Sequence, residues 1–135
     1  QIQIIRDYHP DVPTVLCEAS KIQQVLFNVI KNASESMRGK SKKDPPKIIF
    51  RLKKLSNTAC IEIEDNGPGI DYQTRKRIFE PFFTTKEVGV GTGQGLAIAH
   101  NVVVKSHKGQ LWFDSKDGHG TIFYIKLPME QEASS

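Results

Sequence analysis

Two runs with strand patterning, KIIFRLKKL (47–55) and TACIEIED (58–65), are separated only by Ser56 and Asn57. So short a link leaves no room for a crossover, and the two runs must pair antiparallel as a hairpin. A second pair, GQLWFDS (109–115) and GTIFYIKLP (120–128), closes around KDGHG towards the end of the chain. QIQII (1–5) alternates and reads as a further short strand, and TVLC (14–17) as another or as the tail of a loop. Strands that arrive as hairpins, with helical patterns between them, exclude an all-parallel sheet. The expected fold is an α+β two-layer sandwich, one mixed sheet of about five strands with about three helices on one face.

The longest helical pattern runs from Ser20 to Met37. Ser20 with Gln23 three residues later has the form of a capping box. Ile22, Val25, Leu26, Val29, Ile30 and Ala33 recur at helical spacing. Asn28, Asn32 and Glu35 fall on a polar stripe away from that apolar face. A short helix is expected over DYQTRKRIF (71–79) and a longer one from Gln94 to Ser106. Residues 81–92, rich in Thr and Gly, read as a mobile loop.

A chain of 135 residues is one domain by length, here 1–128, with MEQEASS (129–135) as a frayed tail. With 38% apolar and 25% charged residues it is an ordinary globular composition, which excludes collagen, long disorder and a disulfide scaffold. No apolar run reaches the ~18–20 residues that span a bilayer, so no membrane contact is expected of this domain. The chain begins at Gln1 without a basic-then-apolar leader, and the absence of an initial Met suggests a piece of something longer. The net charge of +4 gathers in GKSKKDPPK (39–47) and at Lys53 and Lys54. Such a run reads as a solvated loop and strand edge; with no aromatics among the basic residues, no nucleic-acid partner is expected. Cys17 and Cys60 sit in apolar strand patterns and read as buried reduced thiols, in keeping with a cytoplasmic location. The four histidines show no metal spacing.

Chemistry concentrates in four places. The second strand of the first hairpin puts Ala59, Ile61, Ile63 and Asp65 on one face, and Glu62 and Glu64 on the opposite, wet face. An inward carboxylate at Asp65 is costly unless partnered. It either caps its own Asp-Asn-Gly turn or accepts from a ligand donor such as an exocyclic amine. Gly67 and Gly69 would let backbone approach a flat ring. The second place is GVGTGQGLAIAH (89–100), with glycines at 89, 91, 93 and 95 opening a helix. Bare N–H groups at such a start favour anions. Neither the dinucleotide fingerprint nor the Walker spacing fits. The third is the Asn28–Asn32–Glu35 stripe, whose oxygens suit a hard cation such as magnesium, or simply face solvent. The fourth is GHGT (118–121), where Thr121 shares a face with Phe123, Ile125 and Leu127 and so points inward.

In this order these segments resemble the catalytic, ATP-binding domain of sensor histidine kinases, in the GHKL superfamily with its Bergerat fold. QQVLFNVIKNASESM (23–37) resembles the N box, DNGPGI (65–70) the first glycine box and IFEPFFTTK (78–86) the F box. GVGTGQGLAIAHNVV (89–103) resembles the second glycine box and GHGTIFYIKLP (118–128) the last glycine motif. The resemblance spans about residues 8–128. It implies that Asp65 accepts from the adenine amino group, with Gly67 close by, Gly69 and Ile70 along the adenine face and Thr121 supporting the same edge. It implies Mg2+ on Asn32 with Asn28 beside it. Gly91, Thr92, Gly93, Gly95 and Leu96 would contact phosphates through backbone, and Lys86 would reach one from a lid over about 71–92. The family often has a basic residue three after the magnesium Asn, where this chain has Glu35.

Hydrolysing members of the superfamily, such as DNA gyrase and MutL, carry a glutamate base four residues before the magnesium Asn. Here that position is Asn28, whose amide takes no proton at neutral pH. The resemblance therefore implies a transferase that binds Mg-ATP and donates its γ-phosphoryl group, with Asn28 and Asn32 in the catalytic centre. Its acceptor would be a histidine on a separate helical dimerisation and phosphoacceptor domain of the same parent protein, free or membrane-anchored. The next partner would be the receiver domain of a response regulator. None of His9, His100, His107 and His119 sits in a motif like S-H-E-[LF]-R-T-P, so the chain should not label itself. Two alternatives stand beside this reading: a GHKL-type ATP hydrolase, and an interaction domain that binds no nucleotide.

Overall fold

The computed structural model describes residues 3–8, 19–55, 58–80, 95–116 and 118–128. In chain order it contains β1 (Gln3–Tyr8), α1 (Ala19–Ser36), β2 (Lys47–Leu55), β3 (Thr58–Asp65), α2 (Tyr72–Arg75), α3 (Gly95–Asn101), β4 (Gln110–Lys116) and β5 (Gly120–Pro128). The five strands form one sheet in the order β1-β2-β3-β5-β4. β1 runs parallel to β2 across the crossover that carries α1, and every other pair is antiparallel. The sheet is mixed, as the hairpin argument requires. TVLC (14–17), with Cys17, and the tail 129–135 lie outside the described residues.

Alternation on each strand builds the core. Ile48 on β2, Ile61 and Ile63 on β3, Leu111 on β4, and Phe123, Ile125 and Leu127 on β5 meet Ile22, Val25, Val29 and Ala33 from α1 and Met37 just after it. Ala99 on α3 and Val103 just beyond it join the same cluster, which places α1 and α3 on one face of the sheet.

Three local expectations change. α1 begins at Ala19, so Ser20 lies inside the helix rather than at its cap. The short helix stops at Arg75: Asp71 caps its start by accepting from the Thr74 N–H at 2.8 Å. Turns follow, because Ile78 is drawn into the core and Phe79 packs against His100 and Phe113, with ring centroids 4.9 and 5.9 Å apart. α3 gives way to a π-helical stretch over Val102–Ser106, in which the His107 N–H reaches back to the Val102 carbonyl at 3.1 Å.

The outer face of β3 is not wet. Glu62 is only 7% exposed and Cys60 is fully buried. Glu62 is enclosed by Lys53 at 2.8 Å and Arg51 at 3.4 Å, and Arg51 also holds Glu64 at 2.7 Å. Farther along this face Trp112 stacks on Tyr124 with centroids 5.0 Å apart. Long side chains close over the strands where no described helix does. Burial, and then the charge on Glu62, push the Cys60 thiol up from its ordinary value.

Candidate functional site: a cleft between α1 and the ends of β3 and β5

Asp65 is the last residue of β3, on the helix side, and is 5% exposed. Burial raises its carboxyl above the ordinary aspartate value, against the pull of the Gly67 and Thr121 N–H groups; the neighbouring Glu64 charge raises it further, and Lys40 lowers it. The Gly67 N–H donates to Oδ1 at 2.8 Å. The carboxylate thus does cap its own turn, and that cap presets its position. Across the ladder its partner is Thr121, also 5% exposed.

The loop after Asp65 is fixed from several sides. Asn66 accepts from the Lys47 N–H at 2.8 Å and donates to the Pro45 carbonyl at 2.9 Å. Lys40 donates to the Asn66 carbonyl at 2.7 Å and pairs with Asp44. So one lysine of the basic loop, which sequence reading left to solvent, is tied down beside the cleft. Gly69 has φ +81°, and a Cβ there would lie 2.4 Å from the Lys116 carbonyl oxygen. Ile70 packs against the core. Its N–H donates to Ser115 Oγ at 2.6 Å, and its carbonyl accepts from Arg75 Nε at 2.8 Å. The Gly118 N–H bonds the Pro68 carbonyl at 2.6 Å, tying this loop to the β4–β5 turn. Gly120 has φ +96°, and a Cβ there would lie 2.2 Å from the Asp65 carbonyl oxygen.

At the other end of the cleft the Asn28 amide donates to the Gly95 carbonyl at 3.2 Å, where α3 opens. Leu96 sends its side chain into the core, leaving backbone at the helix start. Asn32, one turn along α1, is half-buried. Both Glu35 carboxylate oxygens are buried. Ser36 and Met37, at the end of α1, flank Gly67. α1 therefore runs from the opening of α3 to the Asp65 turn, about 12 Å from residue 28 to residue 36 at 1.5 Å per residue. That distance is on the scale of a nucleoside triphosphate.

The structure gathers Asp65, Gly67, Gly69, Ile70 and Thr121 at one end and Asn28, Gly95 and Leu96 at the other, with Asn32 between them on α1. Lys86, Gly91, Thr92 and Gly93 lie outside the described residues. Sequence reading missed Ser115, Gly120 and Lys40. Counting back across the β4–β5 hairpin from Thr121 would have found Ser115, its ladder partner. A cavity of about 410 Å³ lies beside these strand ends, lined by Arg75, Ser115 and Thr121 but also by Glu64, Asp114 and Ile122 of the outer face; neither Asp65 nor any residue of α1 lines it.

Among the described residues no group of three or more His, Cys, Asp or Glu could hold a metal ion. Asn28 and Asn32 offer amide oxygens only. That donor set fits magnesium, which takes few protein ligands and completes its shell with water and phosphate oxygens.

Residues 17–131 match the family described as histidine kinase-, DNA gyrase B-, and HSP90-like ATPase, and the chain belongs to that family. Sporulation kinase E of Bacillus subtilis is 36% identical over 133 residues, covering 98% of this chain and 17% of the relative. The chain therefore spans about a sixth of that relative's length. The structure of the mycobacterial sensor histidine kinase MprB superposes with a TM-score of 0.79 at 30% identity, covering 97% of this chain and 84% of that one. Full-length ShkA in complex with AMPPNP superposes with a TM-score of 0.81 at 25% identity, covering 98% of this chain and 26% of that one.

Proposed function

We propose that this chain is the catalytic domain of a sensor histidine kinase: it binds Mg-ATP and passes the γ-phosphoryl group to a histidine on a separate helical domain of its parent protein. The observation that carries the reading is the placement of two clusters along α1. A buried acceptor, Asp65 with Thr121, stands at one end, and amide oxygens with the glycine opening of α3 stand at the other. The structural relative solved with AMPPNP supports a nucleotide in this fold.

Asp65 accepts from the adenine amino group, and Gly69 and Ile70 back the ring. Gly95 and Leu96, with Gly91, Thr92, Gly93 and Lys86 upstream, meet the phosphates. Asn32 and Asn28 would hold Mg2+, which when bound neutralises charge on the phosphate oxygens. A ring nitrogen of the incoming histidine forms the new bond to phosphorus as the bond to the β-phosphate oxygen breaks, and ADP leaves. In such a transfer the protein mainly positions groups and offsets charge. Asn28 suits this role: its amide is engaged with Gly95 and is no base for water. The phosphohistidine would then serve a response-regulator receiver domain, in the cytoplasm.

The test is incubation with γ-labelled ATP, with and without a helical domain carrying an acceptor histidine. Acid-labile label should appear on the added domain and not on this chain. Steady phosphate release without an acceptor would support a hydrolase instead.

A further inference from the structure

We propose, resting on the reading that this cleft takes ATP, that Lys40 is a positioning residue for the nucleotide. From the loop after α1 it holds one peptide unit, Asn66–Gly67, in the orientation that fixes the Asp65 carboxylate.

The chain leaves α1 and turns at Gly39, where φ is +91°, to bring Lys40 against the Asp65 turn. The Lys40 side chain is only 17% exposed. Covering an ammonium costs hydration, and ordering so long a side chain costs entropy. The pair with Asp44 offsets little of this, because Asp44 is 70% exposed and ion pairs so open to water contribute little. Lys42 and Lys43 of the same loop stay exposed. What distinguishes Lys40 is its other partner, the Asn66 carbonyl oxygen, 2.7 Å from Nζ.

The Asn66 carbonyl and the Gly67 N–H belong to one planar peptide unit. At its oxygen that unit accepts from Lys40, and at its nitrogen it donates to Asp65 Oδ1 at 2.8 Å. A single amide therefore joins the lysine to the buried carboxylate. A cation at the carbonyl polarises the amide and strengthens the bond its N–H makes, as hydrogen bonds in series do. The same contact opposes a flip of the unit, which would turn the N–H away from Asp65. The other bonds to Asn66 do not oppose that flip. Its own N–H bonds the Lys47 carbonyl at 3.3 Å, and its side chain bonds the Lys47 N–H and the Pro45 carbonyl. Both groups lie before the backbone bond about which the peptide would turn. Lys40 thus does what no other described side chain does at this turn, and it does so from outside the cleft.

Amide hydrogen exchange of the empty protein, together with calorimetric binding of Mg-ATP, tests this. In Lys40→Met the Gly67 amide should exchange about tenfold faster than in wild type, the size of one hydrogen bond. The amides of the core residues Val25 and Val29 should keep their rates. Lys40→Met should bind Mg-ATP about 3–10-fold more weakly, and Lys40→Arg, which keeps the charge and the donor, should recover most of the loss. In an Asp65→Ala background the same Lys40→Met change should alter affinity by less than about twofold, because the lysine acts through the carboxylate. An unchanged Gly67 rate in Lys40→Met would overturn the inference. Faster exchange throughout the core would do the same, since it marks a general loosening. So would an equal loss of affinity with and without the Asp65 carboxylate. These three results leave the nucleotide site standing. If wild type binds no adenine nucleotide, the proposed function fails and the positioning role with it, even where Gly67 responds.

Discussion

Asp65 is held at a cost to the empty fold. Burial lifts its carboxyl above the ordinary range, so the charged form is less stable in the folded chain than in the unfolded one. The sign follows from linkage. This group's contribution is most favourable at low pH, and stability is lost as pH rises through the raised value. Asp65→Asn should therefore be more stable than wild type at about pH 7, with the difference vanishing near about pH 3, as read from denaturant midpoints. The same change should weaken ATP. Asp65→Ala should weaken it by ~10–150-fold, from the ~1.5–3 kcal/mol of a hydrogen bond to a charged group. Enhanced stability of the empty protein together with lost affinity would mark a residue kept for its ligand. A destabilised Asp65→Asn protein at neutral pH would show that the turn cap dominates instead. The inward direction of Asp65 and Thr121 was legible from strand period alone. The buried state of Glu62 was not, since alternation names a face but not what long side chains on neighbouring strands, here Arg51 and Lys53, will cover.

The elements show the same division. Both hairpins and α1 follow from spacing and hydrophobic period, which act within one segment. What local pattern missed depends on contacts between segments. α2 ends early because Ile78 and Phe79 are pulled into the core, and Ser115 matters through its ladder partner. The site's backbone is equally a matter of close approach. At Gly120 an added Cβ would meet the Asp65 carbonyl, and φ is positive. Gly120→Ala should cost more than about 2 kcal/mol, the left-handed penalty plus backbone displacement, measured by thermal or denaturant unfolding. Gly118, with nothing near its added Cβ, should lose only the conformational part. Equal costs at the two positions would contradict the proposed packing of β5 against the Asp65 turn.

For the molecule as a whole, one core joins both layers, so sheet and helices should unfold together. Phe123 is buried between them on β5. Phe123→Ala should cost about 3–5 kcal/mol, a large part of the ~5–15 kcal/mol typical of a whole domain, and should lower nucleotide affinity only through loss of folded protein. The order of the boxes along the chain made the family legible before the fold was described. The phosphate end was less so, because backbone contacts at glycines carry no hydrophobic period to read. The measurement that tests the account most directly is a calorimetric titration of wild type and Asp65→Ala with Mg-ATP and Mg-GTP. Wild type should bind ATP well and GTP far more weakly, and the variant should lose most of its ATP affinity. Equal affinity for the two nucleotides, or ATP binding untouched by loss of the carboxylate, would contradict it.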